Sequence, residues 1–217
     1  KEKCFTALGM AQSLKETLTA EQLTNIFKNF DNAIAKYNEL HPNANVSLDA
    51  KDKFLTAQGM ANSLKGSVLT ADQLSNIFRN FDSALAKYNE LHPGAAITLD
   101  AKEIFLTALG MSGSLKESIL TSEQLSNIFT NFENALAAYN AQPGADVLLD
   151  NKDKFLTALG MSGSLKESIL TPEQLTSIFT NFASALAAFN QGRTDKITLD
   201  AKETFLTALG MGKNLLD

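Results

Sequence analysis

"LTADQLSNIFRNFDSALAKYNELH", residues 69–92, reads as one helix from its first letter to its last. Thr70 has the hydroxyl of an N-cap, and Gln73 three residues on completes a capping box. Leu69 before the cap and Leu74 after it form a hydrophobic staple. The same quartet stands at Leu18, Thr19, Gln22 and Leu23, and again in two later copies. In the last copy Pro172 takes the first helical position, where a missing N–H costs nothing. Within the first copy Leu23, Ile26, Phe27, Phe30, Ala33, Ile34 and Tyr37 are spaced by threes and fours, which gives one broad apolar stripe. Turn chemistry ends each copy, in "HPN", "HPG", "QPG" or "QGR".

A second motif alternates with this one. "LDAKDKFLTAQGMANSLK" (48–65) returns with "FLTALGM" at 105–111, 155–161 and 205–211, and a truncated form, "CFTALGM", stands at 4–10. Asp49, Asp100, Asp150 and Asp200 are N-cap residues, each followed three residues later by an acid that complements the helix dipole. Gly59, Gly110, Gly160 and Gly210 interrupt the motif. Glycine is a poor helix former, so the helix is expected to end or kink there, with a short turn leading on; the alternative is a continuous helix whose Gly allows a close crossing.

Self-similarity at this period is the sign of a repeat architecture. The spacing predicts an all-α fold of tandem two-helix repeats of about 50 residues, with about nine helices, stacked as an α-solenoid or a closed helical bundle. The whole chain, 1–217, is read as a single array with units at approximately 1–47, 48–98, 99–148 and 149–198 and a partial unit at 199–217. The alternating segments between motifs, such as "NVSLD" and "AITLD", are too short to imply a sheet.

Composition narrows the function. Apolar residues are 44% of the 217, enough for a real core. A net charge of −5 lacks the concentrated basic surface of a nucleic-acid binder. No apolar run approaches the roughly 20 residues of a membrane span. The opening "KEKCF" is neither an initiator methionine nor a signal peptide, so the chain is expected to be processed or excised from something longer. The sequon "NVS" (45–47) tilts the expected compartment towards the extracellular side. The single cysteine, Cys4, is read as an incidental thiol.

Catalytic constellations are not legible, and neither a metal nor a cofactor is expected. His41 and His92 stand at equivalent turns and give way to Gln142 and Gln191 or their neighbours in later copies. "LTAEQLTNIFKNFDNA" (18–33) resembles the opening helix of a calcium-binding EF-hand protein, but "NAIAKYN" after Asp31 continues the helix where a calcium loop would begin.

Three sets of residues are candidates for interaction. Asn29, Asn80, Asn131 and Asn181 flank one side of the motif-B stripe, and Asn38, Asn89, Asn140 and Asn190 flank the other. Asparagine is a middling helix former, so its retention is expected to fix stacking register, or else to form a polar ladder for a partner. The second set is Thr130, Ala138, Thr180, Ala183 and Ala188, where later copies lose the outward charges of Lys28, Asp31, Lys36 and Glu39; this face is expected to be covered by another chain or module, or else to reflect drift of the repeat towards good helix formers. The third is Phe54, Met60, Phe105, Met111, Phe155 and Met161, expected to be core, or the lining of a space for an apolar small molecule. The leading functional expectation is a structural or scaffold protein that self-assembles or binds a macromolecule. The alternative is a carrier of a lipid or pigment.

Overall fold

A computed structural model describes residues 18–216. It is all-helical: among the described residues there are twelve helices and no strand. They are α1 (Ala20–Leu40), α2 (Ala50–Gly59), α3 (Ala61–Leu64), α4 (Ala71–Leu91), α5 (Ala101–Gly110), α6 (Ser112–Leu115), α7 (Ser122–Asn140), α8 (Asn151–Gly160), α9 (Ser162–Leu165), α10 (Pro172–Asn190), α11 (Ala201–Gly210) and α12 (Gly212–Leu215). About nine were expected. The count differs because each described motif A is two helices, a ten-residue one and a four-residue one. Cys4 and the first "FTALGM" lie outside the described residues.

The long helices begin as their sequence requires. In α1, α7 and α10 the Thr hydroxyl accepts from the N3 backbone N–H while the Gln carbonyl accepts from the cap's own N–H. In α4 the same pair of bonds joins Thr70 and Gln73, at 3.0 and 3.1 Å. Each cap satisfies donors that would otherwise be left orphaned at a helix start.

Motif A breaks one residue past the glycine. Gly59 and Gly110 are the last residues of α2 and α5, and Met60 and Met111 cap them with φ near −92° and ψ of 12° and 14°. The glycines do not take a left-handed backbone; among the described residues only Gly144 and Gly192, in turns after motif B, have positive φ. The Met60 methyl lies 3.5 Å from where a Gly110 β-carbon would stand, and the Ser63 hydroxyl donates to the Gly110 carbonyl at 3.0 Å. Ser164 does the same to Gly210 at 2.9 Å.

The chain packs as two compact units. The first contains the described residues up to Ser83, with Thr98–Ile119; the second contains Ala84–Ile97 and the residues from Leu120 on. The core of the first includes Ile26, Phe30, Tyr37, Phe78, Phe81 and Phe105, each at most 1% exposed. The core of the second includes Tyr88, Ile128, Phe129, Phe155, Ile178 and Phe205.

Candidate functional site

Asparagines are prominent among the buried polar groups of the described residues. Asn29, Asn80 and Asn131 are fully buried. The Asn131 amide donates at 2.7 Å to both the Leu165 and Ser168 carbonyls, and its oxygen accepts from the Leu170 N–H at 2.7 Å. Asn29 makes the same three bonds, to Leu64, Ser67 and Leu69. Asn80 donates to Leu115 and Ser118. The loop from motif A to the next motif B has no backbone ladder of its own, and these side chains supply its partners. The second set closes the turn after motif B. Asn38, Asn89, Asn140 and Asn190 each donate to, and accept from, the backbone of one residue, Val46, Ile97, Val147 and Ile197 respectively. Both sets are thus engaged with the chain's own backbone, the arrangement that fixes register. Asn181 is the exception in burial: it keeps its bond to Leu215, at 2.7 Å, but is exposed. A related row, Asn76 and Asn127, bonds to Lys116 and Lys166 carbonyls and was not singled out from sequence because Ser177 ends it.

The motif-A phenylalanines form a recurring aromatic group. Phe105 stacks on Phe78 at 5.9 Å, and Tyr37 stands edge-on to both, at 5.5 and 5.1 Å. Phe155, Phe129 and Tyr88 repeat this at 5.9, 5.5 and 5.1 Å. Phe205, Phe179 and Tyr139 form a third such group, with centroids 6.0, 5.5 and 5.0 Å apart and Tyr139 tilted rather than edge-on. Edge-on and offset contacts of this kind suit the ring quadrupoles. Phe105 and Phe155 are fully buried among these rings and belong to the core. Met60, Met111 and Met161 are half-buried beside the break in motif A. Phe54 differs. It stacks on Phe27 at 5.8 Å but is 53% exposed.

The histidines stack on the tyrosines. His41 lies over Tyr37 at 4.1 Å, its Nδ1 3.0 Å from the Tyr37 carbonyl and its Nε2 2.7 Å from Asp82. His92 lies over Tyr88 at 4.2 Å, with Nε2 3.8 Å from Glu133. His41 thus ties the end of one long helix to an acid on the next, and His92 stands near the equivalent acid without a hydrogen bond to it. The helical register puts Arg193, not Gln191, at the corresponding place in the last copy. Its guanidinium lies 4.3 Å over the Phe189 ring. Sequence reading missed this because the turn there is one of changed length and composition.

The outward face behaves unevenly. In the first two copies Lys36–Glu39 and Lys87–Glu90 pair along the helix at 2.9 and 3.0 Å. In the later copies Thr130, Thr180, Ala183 and Ala188 are exposed and Ala138 is half-buried. No helix among the described residues is long and apolar enough to cross a membrane, and they contain no cluster of three or more potential metal ligands.

The protein thus belongs to the all-helical class, and its repeated side-chain groups hold one helix against another. A scan against protein-family models matches none, and comparisons with curated proteins and with solved structures yield no match.

Proposed function

We propose that this is a non-enzymatic helical-repeat scaffold, an array of about 50-residue units stacked as an α-solenoid, that assembles with copies of itself or with a macromolecular partner through its repeated surface. The observation that carries the reading is the thrice-repeated aromatic group, in which the Tyr of one motif B meets the Phe of the following motif B and of the motif A beyond it. The rings of one copy are buried against those of following copies, the kind of neighbour contact from which stacked repeats gain stability. A closed bundle would use the same contacts. The uncharged outward face at Thr130, Ala138, Thr180, Ala183 and Ala188 supplies a surface on which helices can approach closely.

Substituting Ala138 and Ala188 together by Lys tests the partner face. Sedimentation velocity of the variant is expected to show weaker association than the unaltered chain. A chain that stays monomeric at every concentration and releases a bound lipid on solvent extraction would overturn the scaffold reading in favour of a carrier.

A further inference from the structure

The turn after the first motif B contains Asn45, Val46 and Ser47, a sequon that neither the packing nor the scaffold reading uses. No other asparagine in the chain has Ser or Thr two residues on. Asn29 and Asn38 are engaged with the chain's own backbone. Asn45 is exposed, and among the described residues its side chain makes no hydrogen bond.

The local backbone sets the sequon facing outward. Residues 45–49 lie outside any helix. The Asn38 side chain holds Val46 through both backbone groups, donating to its carbonyl at 3.0 Å and accepting from its N–H at 2.8 Å. Val46 and Leu48 are buried, while Asn45 and Ser47 are exposed. This alternation is that of an extended segment, in which successive side chains point to opposite faces. The acceptor amide and the hydroxyl of the sequon therefore stand on one open face, with Val and not Pro between them.

That openness belongs to the place in the repeat. Ala96 and Thr98, Asp146 and Leu148, and Lys196 and Thr198 stand at the same two places in later copies, and all six are exposed. Ala96 and Asp146 are exposed in copies that have a neighbour on both sides. Only the first copy has an amide there.

We propose that Asn45 is an N-glycosylation site, with an oligosaccharide joined to its side-chain nitrogen. The donor is an oligosaccharide carried on a polyprenyl pyrophosphate. A bond forms between Asn45 Nδ2 and C1 of the first sugar, and the bond from C1 to the pyrophosphate oxygen breaks. The amide gives up one proton, and the polyprenyl pyrophosphate leaves with the bonding electron pair. The folded segment accommodates the product, because the glycan extends from the face opposite Val46 and Leu48. The modification requires passage of the chain through a secretory pathway. It is independent of the scaffold reading, and either can fail alone.

The decisive measurement is a peptide map of the protein purified from its source. Cleavage after Lys36 and Lys51 releases residues 37–51 as one peptide. This peptide is expected in glycosylated form, and an amidase that removes N-linked glycans is expected to return it bare, with Asn45 converted to an aspartate. Recovery of the peptide only in unmodified form overturns the proposal. A second arm produces the full 217-residue chain in a eukaryotic cell behind a signal peptide. One glycan is expected there, read as a single band shift that the amidase abolishes. Asn45→Gln and Ser47→Ala are each expected to lose the shift, and Ser47→Thr to keep it. Ala96→Asn, which sets an amide two residues before Thr98, is expected to add a second shift of equal size. All these positions are exposed, so the melting temperature of each variant, freed of glycan, is expected to stay at the unaltered value. A shift that survives Asn45→Gln places the glycan elsewhere and overturns the proposal. An Ala96→Asn chain that gains no second shift shows this place in the repeat to be closed to the enzyme, and overturns it too.

Discussion

Asn131 shows why a polar residue persists on an apolar helix. Its side chain is fully buried and engages three backbone groups of a loop that crosses the end of the next motif A. Replacing it with Ala leaves two carbonyls and an N–H short of their partner, the Leu165 carbonyl among them fully buried. The expected loss is about 3 kcal/mol, read as a shift in the urea midpoint. Asn181→Ala, at the exposed equivalent position with one bond to Leu215, is expected to cost less than about 1 kcal/mol in the same assay. Equal losses at the two positions would remove burial as the explanation.

At the scale of the element, the decisive detail is where motif A stops. The sequence placed the break near the glycine, and Gly59, Gly110, Gly160 and Gly210 are the last residues of their helices, each followed by a methionine C-cap and a four-residue helix. The glycine keeps a helical backbone, and the space beside it admits the methyl of the preceding copy's methionine. A β-carbon at Gly110 would meet the Met60 methyl at 3.5 Å, an ordinary contact. Gly110→Ala is therefore expected to stabilise the protein, by about 0.5–1 kcal/mol, through the lower backbone entropy of the unfolded chain. A fall in melting temperature would mean that the Ser63 bond to the Gly110 carbonyl needs a closer approach than alanine allows. The long helices are equally legible. Their caps and stripes depend only on neighbours a few residues away, which is why they were readable from sequence.

At the scale of the whole molecule, the buried tyrosines link stability to alkaline pH. Burial pushes the Tyr37 phenol up to about 12, helped by the negative charges of Asp82 and Asp100. Tyr88 is pushed up to about 12 by burial, with Glu133 and Asp150 adding to it. A raised phenol pKa means the fold favours the neutral form. The resulting stability is full below the unfolded value near 10 and is lost as pH rises through 12. Thermal melts are thus expected to be insensitive to these groups at pH 8–9 and to fall steeply above about 10. Tyr88→Phe is expected to blunt that fall. It is also expected to leave stability at pH 7 unchanged or higher, since the Tyr88 hydroxyl is buried without a hydrogen-bond partner. A large loss at pH 7 would show that the hydroxyl contributes to the fold.

Sequence alone determined the parts of this protein that local chemistry controls. Thr70 with Gln73, Asp100 with Glu103, and the three-and-four spacing from Leu23 to Tyr37 specify capped amphipathic helices wherever they stand. The period of the repeat and the retained asparagines announced that copies pack on copies. Only the tertiary structure decided which equivalent residues are covered. Phe54 and Phe105 share a motif, yet one is half open and the other sealed; Phe189 and Tyr139 differ in the same way. A helix wheel gives the direction of a side chain, and burial depends on whether another helix lies in that direction. That neighbour comes from a different copy, far along the chain, and no local pattern records it.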